Sequence, residues 1–136
     1  MKFKVPSPTH NESHISVKEA LESPPIPKNA KNHEFTNHSS TVIERLKHTK
    51  PGENAWTAKL PKNLELKVKK TRLSQIYKRL KPNEPAYTIT GKGGGGTHVY
   101  HWKYPRALTS REKARLQSFP DDYEFIGNKD SYKDQK

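Results

Sequence analysis

Residues 85–125 constrain this chain more than any other part of it. Residues 86–90 form a short β-prone run. Glycines interrupted only by Lys92 occupy 91–96, and a second β-prone run covers 97–102. Thr109, Ser110, Arg111 and Glu112 then have the spacing of a capping box, in which the Thr109 hydroxyl accepts from the third helical N–H and Glu112 reaches back. Pro120 ends that helix and keeps Phe119 out of helical geometry. The pattern predicts a hairpin followed by a helix over 109–119. Its glycine tip lacks the Cβ atoms that would hold it away from another surface.

Upstream, the signals are shorter. Ser16 to Glu19 gives a second capping-box spacing, opening a helix that ends before Ser23, Pro24 and Pro25. Residues 24–32 read as a polar, proline-rich connector. Thr41 to Glu44 gives a third such spacing. Val42, Ile43 and Leu46 share one face of that helix, with Lys47, His48 and Lys50 at its negative end and a stop at Pro51 and Gly52. This predicts a scaffold helix rather than one that reads DNA. Leu64, Leu66 and Val68 alternate with polar residues and predict a half-buried strand. Residues 75–80 fit either period, with a strand preferred. The last residues, 127–136, are polar and expected to fray.

Charge decides the class of partner. The net charge is +12, and residues 59–81 hold nine Lys and Arg against Glu65 alone. A polyanion is the expected partner. Nucleic acid is favoured over membrane, because no basic amphipathic helix of useful length is present. Hydrophobic residues make up 29% of the chain, against ~45–50% in ordinary globular domains. The core must therefore be thin, and long connections irregular. The predicted fold is α+β: a small, partly irregular domain of a few antiparallel strands and two or three short helices. No cysteine is present, which excludes disulfides and thiolate metal sites. The lack of a signal peptide or a membrane-length apolar run leads us to expect a cytoplasmic protein.

Other motifs carry little. The glycine run formally satisfies G-x-G-x-x-G, but strand-like residues come after it where a helix is required. His98 and His101 would lie on opposite faces of a strand, and no further ligands stand near, so no metal is expected. His10, His14, His33 and His38 read as surface groups. Glu65 and Lys67 have an E-x-K form without an upstream acid.

RALTSRE at 106–112 and RLQSFPDDY at 115–123 resemble the late conserved motif of the DNA (cytosine-5-)-methyltransferases. YTIT at 87–90 followed by the glycines resembles the end of that family's target-recognition region. FKVPSPTH at 3–10 and SVKEAL at 16–21 resemble, less specifically, the segment after its catalytic half. The resemblance implies a division into a connector over 1–33 and a recognition region over 34–136. It implies double-stranded DNA as partner, with Thr88 and Ile89 matching the pair whose threonine meets the phosphate backbone near the target base. Gly93, Gly94, Gly95 and Gly96, with Lys92, would belong to a recognition loop lying in a groove. Lys67, Lys69 and Arg72 would supply phosphate contacts. Arg106 and Arg111 would either hold the loop or touch phosphate.

The same resemblance marks what is missing. The family attacks cytosine with a cysteine thiolate, and this sequence has none. The Pro-Cys motif, the glutamate motif beside it, the glycine-rich S-adenosylmethionine loop and the closing Gly-Asn-(Ala/Ser)-Val segment are absent from it. No catalytic residue and no cofactor site is therefore expected in this chain, S-adenosylmethionine belonging to the complete enzyme. The expectation is the DNA-recognition part of a methyltransferase, either a truncated product or one subunit of a split enzyme completed by a catalytic polypeptide. The alternative is a basic nucleic-acid binder without enzymatic activity, of the RNA- or ribosome-associated kind.

Overall fold

Among the described residues, three helices form where the capping signals stand. The computed structural model describes residues 3–10, 12–67, 73–89 and 96–127. Helix α1 spans Val17–Glu22, α2 spans Ser40–His48 and α3 spans Ser110–Leu116. Ser16 caps α1 by accepting from the Glu19 N–H. The next free N–H groups of α1, on Val17 and Lys18, donate to the carbonyls of Glu84 and Pro82 at 2.9 Å each. Helix α2 begins one residue before the threonine of its predicted box. Ser39 is the N-cap, and no side-chain cap bond forms.

The box at α3 is complete in both directions. The helix then stops three residues before the position Pro120 alone would set. Ser118 adopts φ +62, its N–H bonds to the Arg115 carbonyl, and the Phe119 N–H reaches back to the Ala114 carbonyl. That is a Schellman closure, which ends a helix through its own backbone.

Two small apolar clusters make the core. Val17, Leu21, Leu80, Val99, Trp102 and Leu108 form the first; Leu46, Ala55, Tyr77, Tyr100 and Ala107 form the second. Residues 99–108 run between them, with Val99 and Leu108 facing one cluster and Tyr100 and Ala107 the other. The period of two is thus real at these positions. The apolar side of α3 does not wait for another polypeptide. Leu108 is buried and Leu116 packs on the first cluster, beside residues of α1. Phe119 is the exception, exposed in a group of rings with Tyr123 and Phe125.

The predicted antiparallel strands are overturned. Among the described residues there is no strand and no sheet, only isolated bridges joining Glu22 to Pro25, Arg79 to Tyr100 and Tyr100 to Ala107. The half-buried strand expected from Leu64 is not formed over its described residues, the run at 75–80 opens in a turn and holds one bridge residue, and 97–102 contributes one bridge residue. Side chains take the backbone groups that a ladder would use. Arg79 occupies the carbonyls of His101, Trp102 and Tyr104. The His101 ring accepts from the Lys103 N–H, and the His38 ring from the Ala107 N–H. Tyr77, at φ +52, breaks the extended run that precedes the bridge at Arg79. No described helix is long and apolar enough to cross a membrane.

Candidate nucleic-acid interface

Three arginines tie the fold together through main-chain carbonyls. Arg79, 6% exposed, donates all five of its N–H groups to main-chain carbonyls. Nε bonds His101, Nη1 bonds Leu46 and Thr49, and Nη2 bonds Trp102 and Tyr104. Two of these acceptors close α2, so the cation also sits at the negative end of that helix. Arg111, 1% exposed, donates to the carbonyls of Lys31, Pro120 and Tyr123. Arg115 pairs with Asp121 and reaches the carbonyls of Ala20 and Pro24, tying α3 to the end of α1. The hydrogen bonds to Arg115 hold the Asp121 carboxyl below its usual range.

Arg106 turns inward. Its two Nη atoms bond the Glu112 carboxylate at 2.8 and 2.7 Å, and its guanidinium lies 4.4 Å from the Phe35 ring and 5.4 Å from that of Tyr104. Burial pushes the Glu112 carboxyl up, but Arg106 and the Thr109 N–H outweigh it and hold the group below the usual glutamate range. The partners of Arg106 among the described residues are Glu112, the Ala107 carbonyl, Phe35 and Tyr104, none of them in the glycine loop. Arg111 is likewise committed to main-chain carbonyls inside the protein.

The other expected contact residues divide. Thr88 is exposed, while its neighbour Ile89 packs on the first core cluster. Lys67 is exposed. Gly96 is buried at φ +93, against the Tyr77 ring. Lys69, Arg72, Lys92, Gly93, Gly94 and Gly95 lie outside the described residues. Arg79, Tyr77 and Arg45 were not singled out by sequence reasoning. The signal available was the setting of Arg79 beside Ile76, Tyr77 and Leu80, where an apolar pattern makes a solvated arginine out of place.

Histidines also serve the interior. His101, 4% exposed, stacks on Trp102 at 4.0 Å and accepts at Nδ1 from the Lys103 N–H at 2.9 Å. Burial, together with Arg106, Arg79 and Lys103, outweighs Glu112 and lowers its pKa to about 4. Burial lowers His33, His38 and His98 in the same direction. An unfolded histidine takes up its proton near pH 6.5, which the folded His101 refuses. Its contribution is therefore complete above pH 6.5 and is lost as the pH falls towards 4. The loss is at most about 3 kcal/mol from this group. Urea midpoints measured from pH 7 to 4 should fall along that curve, and His101→Asn should flatten it.

A cleft of about 700 Å3 opens between the end of α1, α2 and the turn at 103–106, with Ile26, Phe35, Ile43 and Tyr104 among its walls. No group of three or more described His, Cys, Asp or Glu side chains is arranged to hold a metal.

A basic scaffold built round a late capped helix defines the class. The family model for C-5 cytosine-specific DNA methylases matches residues 1–136, and the chain belongs to that family. It is 59% identical over 133 residues, 98% of this chain, to the type II methyltransferase M.BbvI of Brevibacillus brevis, and these cover 35% of that protein. It is 42% identical over 133 residues to M.NgoFVII of Neisseria gonorrhoeae, covering 93% of this chain and 34% of that one. The chain thus spans about a third of the length of these relatives. The type II methyltransferase M.AquIB of a Picosynechococcus species is 36% identical over 103 residues, 75% of this chain, and there the match covers 65% of the relative.

The cleft presents the cations Lys103 and Arg106. Both carboxylates of the cleft face cations already, Glu112 on Arg106 and Glu22 at 3.7 Å from Lys103.

Proposed function

We propose that this chain is the DNA-recognition part of a cytosine-5 methyltransferase and works with a catalytic half that these residues do not contain. The observation that carries the reading is a family match along the whole chain in a sequence without cysteine. Methylation at C5 needs a thiolate to attack the neighbouring ring carbon, so that step belongs elsewhere. The matches to M.BbvI and M.NgoFVII support it: these residues correspond to about a third of each relative, and the remaining two thirds leave room for the catalytic half.

In this reading residues 34–136 grip duplex DNA. Exposed Thr88 and Lys67, with Lys69 and Arg72, take phosphates, which set affinity and register. Lys92 and the glycines before Gly96 approach base edges in a groove. The catalytic half receives the base once it has left the stack and brings both thiolate and methyl donor.

The test uses the purified chain with a random duplex pool at about 50 and about 200 mM salt. One short sequence should be enriched, and affinity should fall steeply with salt. No methyl group should reach DNA until the other two thirds of the Brevibacillus brevis relative is added. Salt-dependent binding without any sequence preference would favour the plain basic binder. Methylation by the chain alone would overturn the reading.

A further inference from the structure

The two segments proposed to meet DNA are fastened to one point of the scaffold. Arg45, on α2, donates from Nε to the Leu64 carbonyl at 2.7 Å and from Nη1 to the Tyr77 hydroxyl at 3.2 Å. Leu64 lies inside the lysine-dense run 59–81, three residues before Lys67. Tyr77 holds the other segment: its N–H donates to the Gly96 carbonyl at 2.8 Å. Gly96 is the last residue of the glycine run, and its α-carbon rests on the ring of Tyr77.

The contact is close. A Cβ at Gly96 would stand 3.1 Å from Cζ and 3.2 Å from Cε2 of that ring. The ring has little room to retreat, because Tyr100 lies 5.7 Å away and the Arg45 guanidinium 5.5 Å away. Both backbones are in the left-handed region, Tyr77 at φ +52 and Gly96 at φ +93. A tyrosine there is uncommon and persists only where its surroundings dictate it. Ordinary core packing would not require a strained tyrosine, a ring-stacked glycine and an arginine shared between two otherwise separate segments.

We infer that Arg45, Tyr77 and Gly96 form a clamp that fixes the lysine-dense segment and the glycine run relative to each other, so that phosphate register and base readout are set together. These are positioning residues. The inference rests on the DNA-recognition reading above.

Gly96→Ala pushes a methyl into the ring and strains the backbone. Arg45→Met keeps the stem and helix propensity of Arg45 but drops both hydrogen bonds. Gel-shift titrations with the chain's enriched duplex and with a scrambled one measure the discrimination ratio. Each variant should lose ~10-fold or more of that ratio. Binding to the scrambled duplex should stay within about 2-fold, with the salt slope unchanged, because that binding is phosphate attraction. The double variant should discriminate no worse than the poorer single, since one clamp is broken only once. A purely structural role would lower the melting temperature while leaving the ratio intact. That result, or singles whose losses in discrimination add, overturns the clamp and leaves the DNA-recognition reading standing. A parent chain that shows no preference for any duplex overturns both.

Discussion

Arg79→Met leaves this chain without a cooperative unfolding transition. The methionine fills much of the space of the arginine stem, so the loss is polar rather than steric. Three main-chain carbonyls, those of Thr49, His101 and Trp102, lose the donors that Arg79 supplies inside the protein, while that of Leu46 keeps the Thr49 N–H. Each buried group left unpaired costs about 1–3 kcal/mol. The sum reaches into the range of a typical domain's whole stability, about 5–15 kcal/mol, in a chain whose core is two small clusters. The bonds also join the end of α2 to the turn at 101–104, so the second cluster loses its frame. Arg79→Lys keeps the charge, but an ammonium has three donors and no fork, so it should retain only part of the stability. Urea unfolding followed by tryptophan fluorescence orders the three proteins. A midpoint for Arg79→Met within a few tenths molar of the parent would show that these carbonyls find other donors.

Arg79 also shows where sequence reading stops. In the sequence it is one of nine cations between residues 59 and 81 and reads as part of a run that meets phosphate. In the fold it is a buried hub, and that depends on contacts with residues 22 to 33 positions away. Helices were legible because their starts are local. Ser16 and Thr109 accept from N–H groups three residues on, and such bonds are visible as spacing. The stop of α3 was less legible, since Ser118 supplies a left-handed conformation usually assigned to glycine.

Strands failed for the opposite reason. Val99 and Tyr100 do face opposite clusters, as successive residues of an extended run would. Alternation says nothing of which donors and acceptors remain for a ladder once Arg79, His101 and His38 have used them. The candidate site divides along the same line. Thr88 and Lys67 sit in the open, as their surroundings in the sequence suggest. Arg106 is turned inward by Glu112, a pairing that capping-box spacing hides because Glu112 already has a role in it. His33 and His38 read as surface groups and His98 and His101 as opposite faces of a strand, whereas His38, His98 and Tyr100 meet through the fold.

Glu112 bears the second large expected effect, since one carboxylate serves two structures. It completes the cap of α3 by accepting from the Thr109 N–H at 2.8 Å, and it neutralises Arg106, whose side chain is 16% exposed. Glu112→Ala leaves that guanidinium without its counter-charge and the first turn of α3 without half its cap. The cost of stranding one partner of such a pair is about 3–5 kcal/mol, with about 1 kcal/mol more from the cap. Glu112→Gln keeps the shape and an acceptor oxygen, so it should lose about half as much. Replacing both partners removes the stranded charge: Arg106→Leu with Glu112→Leu should be less destabilised than Glu112→Ala alone. Denaturant midpoints of the three variants supply the test, and the ordering matters more than the sizes. If the double variant is the least stable, the pair stabilises this fold by attraction rather than by avoiding an orphaned ion. The turn at 103–106 would then depend on Glu112 for its very position, beside the cleft that Arg106 and Phe35 share.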